Sequence, residues 1–204
     1  MKKFLGMLIL LVAPLYANAA EYISPEVIIT GAMNELQIEM EGNREEYRQD
    51  PALLRGVVDR IFLPRFDTVF AAQRVLGKYW RTASDTERQR FIDVFYRYLV
   101  NSYASYLLDF RGDEVEVSPY AGKPDDKYPL VKTTVILTKG DKASVDYVLR
   151  DVDGQWKVID VVVEGISYVR SYREDFSPEI ADKGLDAFIT RLEGTTPELE
   201  RHGS

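Results

Sequence analysis

Asp160 sits in the run Trp156–Val163, WKVIDVVV, between Ile159 and Val161. A carboxylate held among apolar side chains keeps its proton to higher pH, and enzymes use such acids for proton transfer near neutrality. With Tyr147 as a hydroxyl donor to a developing oxyanion, Asp160 is a candidate acid/base group. An aspartate on a strand also serves structurally, as an acceptor for hydroxyls or backbone N–H groups. Few other residues could do chemistry. Cysteine is absent, and the single histidine, His202, lies in the polar stretch that closes the 204-residue sequence. This leaves no thiolate nucleophile, no thiolate or histidine metal site and no histidine-based triad. Arg170 and Arg173 could attract a phosphate or pair with Glu174 and Asp175. Asp113, Glu114 and Glu116 read as a solvated acidic face, and Trp80 and Trp156 as packing anchors. DNA-binding, metal-binding and nucleotide-binding motifs are absent.

Lys2 and Lys3 precede the apolar run Phe4–Tyr16, and Ala17-Asn18-Ala19 has the small-x-small pattern of a cleavage site. This predicts a Sec signal peptide over residues 1–19, cut before Ala20. The 13 apolar residues, interrupted by Pro14, fall short of the roughly 20 that span a bilayer. The remaining 20–204 suits one domain with a sizeable core, its tail loose from about residue 194. An exported chain without cysteine relies on that core alone. Net charge is −7; residues 1–19 hold two of the 26 basic and none of the 33 acidic side chains, so removing them leaves −9. Such a chain is repelled by nucleic acid and by anionic lipid surfaces.

The elements that position the candidate residues follow from periodicity. Ser24-Pro25 opens a helix carrying Val27, Ile28, Leu36 and Met40, with Gly42-Asn43 as its stop. Asp50-Pro51 starts a second, with Leu54, Val57, Val58, Ile61 and Phe62, ended by Pro64. Asp67 caps a third, closed by Gly77. Ser84 and Glu87 form a capping box before a long helix, Asp85 to about Phe110. Its polar positions Asp93, Arg97 and Asn101 form one narrow stripe. Phe91, Phe95, Leu99, Tyr103 and Tyr106 lie on one apolar side, and Ile92, Tyr96, Val100 and Leu107 on another. A helix so apolar is central, covered on two sides. The second half alternates with period two. Val115 and Val117 start it, Val131–Leu137 and Ala143–Leu149 flank a turn at Lys139-Gly140-Asp141, and Asp153-Gly154 is a hairpin signal. The whole stretch Trp156–Phe176, WKVIDVVVEGISYVRSYREDF, is the fourth strand, with its alternation changing phase near Ile159. Either a bulge shifts the register there or both faces are covered. Ser177-Pro178 opens a last helix to about Leu192.

The fold class is therefore α+β: an N-terminal helical layer packed on a curved antiparallel sheet of about four strands. Inward apolar residues on both layers can fill the space between them or enclose a cavity for an apolar ligand. Patterning alone does not separate these outcomes. The expected lining is Phe95, Leu99 and Tyr103 from the long helix, with Val135, Val145, Tyr147, Leu149, Val161 and Val163 from the sheet.

The runs GKYWRTAS at Gly77–Ser84 and DVVVEGIS at Asp160–Ser167 resemble the MlaC family of periplasmic phospholipid carriers, also called toluene-tolerance proteins. The resemblance extends over essentially the whole chain after the signal peptide, with the Ser177-Pro178 helix start as a departure. It implies a cone-shaped fold related to nuclear-transport-factor-like proteins. It implies that the acyl chains of a glycerophospholipid are held inside with the headgroup outside, Arg170 and Arg173 being the nearest headgroup candidates. No cofactor and no enzymatic activity are implied. The implied partners are an outer-membrane MlaA-type lipoprotein with its porin and an inner-membrane Mla ABC transporter acting through its MlaD-type subunit, met by a monomer. Each methylene moved into water costs about 0.8 kcal/mol, so two chains of roughly 15 would cost on the order of 25 kcal/mol. A dry cavity removes most of that without any catalytic group. The rival readings are an enzyme using Asp160 and an interaction module with a filled core; lipid recovered with the purified protein discriminates against both.

Overall fold

The computed structural model describes residues 22–109, 115–136 and 141–195. The signal-peptide stretch, Phe110, Asp113-Glu114, Leu137, Lys139-Gly140 and His202 lie outside the described residues. The helices are α1 (Glu26–Met40), α2 (Arg44–Gln49), α3 (Pro51–Ile61), α4 (Thr68–Leu76), α5 (Lys78–Thr82), α6 (Asp85–Tyr103), α7 (Tyr168–Lys183) and α8 (Leu185–Gly194). The strands are β1 (Val115–Val117), β2 (Leu130–Val131), β3 (Thr133–Ile136), β4 (Lys142–Val152), β5 (Gln155–Val163) and β6 (Ile166–Ser167).

Local chemistry sets the starts of α3, α4 and α6. Asp50 Oδ1 accepts the Ala52 N–H at 2.9 Å with Pro51 at the first helical position. Asp67 Oδ1 accepts the Phe70 N–H at 2.9 Å. Ser84 Oγ accepts the Glu87 N–H at 3.2 Å while the Glu87 carboxylate accepts the Ser84 N–H at 2.8 Å, completing the capping box. At α1 the expected cap is displaced. Pro25 takes the cap position and the Ser24 hydroxyl donates to the Glu26 carboxylate instead of receiving a backbone N–H. The short α2 has no counterpart in the periodicity; it is pinned by Tyr47, buried and bonded to Glu39.

The long helix α6 ends at Tyr103, earlier than expected, and continues as a 3₁₀ turn over Ala104–Asp109. It is central. Phe91, Val94 and Phe95 pack with Phe176, Ile180, Phe188 and Ile189 of α7 and α8. Val100 and Ala104 pack with Leu36, Met40, Leu54 and Val57 of α1 and α3.

The sheet is antiparallel, in the order β1-β3-β4-β5-β6, with β2 continuing the line of β3 against β4. Two β-hairpin turns among the described residues, Asp153-Gly154 and Glu164-Gly165, each hold two consecutive residues at positive φ, the geometry whose twist suits antiparallel strands. Val148 pairs with Asp160 and Leu149 with Val158, so Ile159 is the extra residue of a β-bulge. Ile159 is also buried.

Two expectations at the C-terminal end are corrected. The fourth strand stops at Val163, and Tyr168–Phe176 is helix, not strand. Nor does a helix begin at Ser177-Pro178: α7 runs through Pro178 to Lys183, and α8 follows a break at Gly184, φ +84°. A proline inside a helix costs about 3 kcal/mol. Phe176 and Ile180, on either side of it, are both buried, and each contributes about 1.5–3 kcal/mol. Pro178 itself is exposed, where water can solvate the carbonyl it leaves unpaired, and the Ser177 hydroxyl donates to the Arg173 carbonyl at 2.6 Å.

Candidate functional site

Between α6 and the sheet lies a cavity of about 310 Å³. One wall is α6, through Ile92, Phe95, Tyr96, Leu99, Val100 and Tyr103, recurring at the three- and four-residue steps of one helix face. The opposite wall is Tyr147 of β4 and Val161 of β5. Val58 and Phe62, the following Leu63 and Phe66, and Thr68 and Ala71 of α4 close one side; Ala104, Leu107 and Tyr168 of α7 complete the lining. Among the described residues the lining carries no charged side chain.

The walls are held by polar contacts directed away from the cavity. Asp67, which caps α4, also accepts from Arg150 Nε of β4 at 2.5 Å. The Asp67 N–H donates to the Val158 carbonyl at 2.9 Å, tying the α3–α4 connection to β5 beside the bulge. Tyr96 donates to Asp59, and burial first, then that carboxylate, raises its pKa. Tyr103 and Tyr172 share a hydrogen bond of 2.8 Å; burial, then Tyr103, raises the Tyr172 pKa. Leu63 and Tyr103, 38% and 37% exposed, mark where the lining meets solvent.

Of the residues expected to line a cavity, Phe95, Leu99, Tyr103, Tyr147 and Val161 are brought together there. Leu149 is not among them: it is fully buried in the packed core with Ile29, Val131 and Val158. Val135, Val145 and Val163 are half-buried and outside the lining. Val145 pairs with Val163 one inward step beyond the Tyr147–Val161 pair. The sequence reading missed Val58, Phe62, Leu63, Phe66, Thr68, Ala71, Ala104 and Tyr168, and it set Ile92, Tyr96, Val100 and Leu107 on a different side of the long helix from Phe95, Leu99 and Tyr103, whereas all seven line the cavity. A signal existed: Ile61-Phe62-Leu63-Pro64-Arg65-Phe66 is more apolar than a surface connection requires.

Asp160 does not reach the cavity. The bulge puts it on the face opposite Val161, where its carboxylate accepts the Val169 N–H at 3.0 Å and the Ser167 hydroxyl at 2.5 Å. It is a structural acceptor at the start of α7. The two arginines are elsewhere as well. Arg170, highly exposed, pairs with Glu174 at 2.9 Å. Arg173 does not pair with Glu174 or Asp175 but donates to the Arg74 carbonyl at the end of α4, through Nε at 2.6 Å. Trp156 Nε1 donates to the Ile23 carbonyl at 2.7 Å, and Arg88 lies over the Trp80 ring at 5.4 Å.

Helices laid on an antiparallel sheet, with an uncharged apolar space between them and the acid of the Trp156 run committed to backbone capping, define a binding fold. Residues 31–194 match the MlaC protein family. The chain belongs to that family. It is 31% identical over 198 residues to the toluene tolerance protein ttg2D of Pseudomonas putida, covering 96% of this chain and 90% of that one. It is 24% identical over 173 residues to the intermembrane phospholipid transport system binding protein MlaC of Haemophilus influenzae, covering 83% and 81%. The fold is similar to that of a phospholipid-binding protein from Ralstonia solanacearum solved in complex with a phospholipid. The TM-score is 0.74 at 23% identity, over 83% of this chain and 99% of the other.

Proposed function

We propose that this protein is a periplasmic phospholipid carrier, exported by a cleaved signal peptide, that moves glycerophospholipid between the two membranes with its acyl chains in the cavity. The observation that carries the reading is a lining without charge in a member of a family whose relatives bear phospholipid-transport names. The fold is kin to the nuclear-transport-factor-like cone, and the protein works as a monomer without catalysis. Its partners are an MlaA-type lipoprotein with porin and the MlaD-type subunit of an ABC transporter. With no cationic residue among the described residues of the lining and both candidate arginines committed to protein acceptors, affinity comes from the chains and the headgroup adds little.

A cavity of about 150 Å³ accepts one benzene, so 310 Å³ accommodates on the order of a dozen carbons. A lipid with two chains of roughly 15 methylenes exceeds that, and uptake therefore involves α6 parting from the sheet. The test is native mass spectrometry of the purified protein, with extraction and identification of what it carries. Bound diacyl phospholipid in proportion to its supply is expected. Protein that acquires no lipid from vesicles of any headgroup composition overturns the reading.

A further inference from the structure

Five residues of the cavity lining carry hydroxyls: Thr68, Tyr96, Tyr103, Tyr147 and Tyr168. Tyr96 is bonded to Asp59, Tyr103 to Tyr172, and Tyr168 to Tyr103. The hydroxyls of Thr68 and Tyr147 have no hydrogen-bond partner among the described residues. They differ in surroundings. Thr68 stands at the first turn of α4, whereas Tyr147 comes from the middle of β4, and burial pushes its hydroxyl up to about 12. It is thus a neutral donor at any physiological pH. Tyr147 is half-buried, and its hydroxyl is a donor of an apolar cavity lining left without an acceptor among the described residues.

Its place on the sheet indicates what would pair with it. Along the inward face of β4, Leu149 is fully buried, Tyr147 lines the cavity, and Val145 is half-buried beyond the lining. Across the sheet Tyr147 pairs with Val161, whose neighbour Val162 pairs with Ser167 just before Tyr168. The Tyr147 ring therefore stands on the row that leads through Tyr168 to the partly exposed Tyr103, where the packed core gives way to the open end. A hydrocarbon chain offers no acceptor there. A phosphate would bring an uncompensated charge into an uncharged space. The uncharged acceptor that an acyl lipid carries at the head of each chain is the ester carbonyl.

We propose that the Tyr147 hydroxyl donates to the ester carbonyl of a bound acyl chain, so that the cavity distinguishes ester-linked from ether-linked lipid. This rests on the carrier reading, and the experiment separates the two. Delipidated wild type, Tyr147→Phe and Tyr79→Phe, the last removing a hydroxyl that donates to the Ser177 carbonyl outside the lining, are each offered vesicles containing equal amounts of a diacyl phosphatidylethanolamine and its dialkyl ether counterpart of the same chain length. Bound species are identified by mass spectrometry. Wild type and Tyr79→Phe are expected to favour the ester by about fivefold, the worth of one net hydrogen bond, and Tyr147→Phe to take both lipids equally. An unchanged ester preference in folded Tyr147→Phe, or its loss in Tyr79→Phe as well, overturns the assignment and leaves the carrier reading standing. Equal uptake of both lipids by the wild type overturns it whatever the variants do. Uptake of neither lipid by the wild type overturns both.

Discussion

Ala71 and Ala72 are neighbours on α4 with opposite surroundings, and replacing each by phenylalanine separates the cavity from the core. Ala71 lines the cavity, whereas Ala72 is fully buried among Val75, Leu76 and Phe91. The ring added at Ala71 is a benzene in size and takes about 150 Å³, close to half of the 310 Å³ available. It displaces about six acyl carbons, and at about 0.8 kcal/mol per methylene the loss is about 5 kcal/mol. That corresponds to more than a thousandfold in affinity at about 1.4 kcal/mol per decade. Ala71→Phe is thus expected to keep its melting temperature and lose phospholipid in competition with wild type for the same vesicles. Ala72→Phe has no cavity to enter; overpacking costs about 1–3 kcal/mol and shows as a lower melting temperature, with the folded fraction still taking up lipid. The assays are thermal melting by circular dichroism and native mass spectrometry of lipid occupancy. A folded Ala71→Phe protein that competes for phospholipid as well as wild type would refute the placing of acyl chains in this cavity.

Other perturbations follow from single contacts. At Gly77, φ is +55° and an added Cβ would lie 3.3 Å from Arg173 Nε. Gly77→Ala should cost about 1–3 kcal/mol, a fall of roughly 3–10 °C in melting temperature; an unchanged melt would show that the α4–α5 turn relaxes freely. Asp160→Ala strands the Val169 N–H and the Ser167 hydroxyl and should cost about 1–3 kcal/mol while folded protein retains its lipid. Loss of lipid without loss of stability would contradict its structural role. The Tyr47 hydroxyl, then Arg60, hold the Glu39 carboxyl below its ordinary value of 4.5. A depressed folded value stabilises above 4.5 and is lost as pH falls through it, so Glu39→Gln should flatten the acid limb of the melting profile. A limb as steep in Glu39→Gln as in wild type would assign the acid sensitivity to other carboxylates.

Features set by neighbours in sequence were legible: the caps at Asp50, Asp67 and Ser84–Glu87, the hairpin at Asp153-Gly154 and the change of phase near Ile159, though not whether a bulge caused it, all concern residues within a few positions of one another. What depends on distant partners was not. The helical state of Tyr168–Phe176 rests on burial of Phe176 against α6 and α8, which overrides the stop that Pro178 suggests. The Glu164-Gly165 turn was hidden because glutamate is an uncommon residue at positive φ. Within the cavity, alternation tells which face of β4 and β5 points inward but not how far along the strands the helical layer reaches. Tyr147 and Val161 lie under α6, and Val145 and Val163 lie past the lining, although all four share a face. The closing residues Leu63 and Phe66 belong to the α3–α4 connection, which has no period to read.

The bulge at Ile159 has a consequence for how this hairpin can vary. With regular pairing, Asp160 would share the inward face of Trp156 and Val158, and Val161 would face out. One extra residue exchanges the two. Deleting the Ile159 codon would merely abolish the bulge, leaving Val158 and Asp160 adjacent opposite Leu149 and Val148, with Asp160 and Val161 on their present faces. A one-residue insertion beside Ile159, carried into the pairing, would instead turn the carboxylate toward the cavity wall and take the acceptor from the start of α7, though no side chain had been substituted. The turns at Asp153-Gly154 and Glu164-Gly165 are exposed at both ends of β5 and can absorb added residues as loop. Added residues are thus absorbed at the ends of this strand, whereas in its middle a single insertion exchanges the two faces.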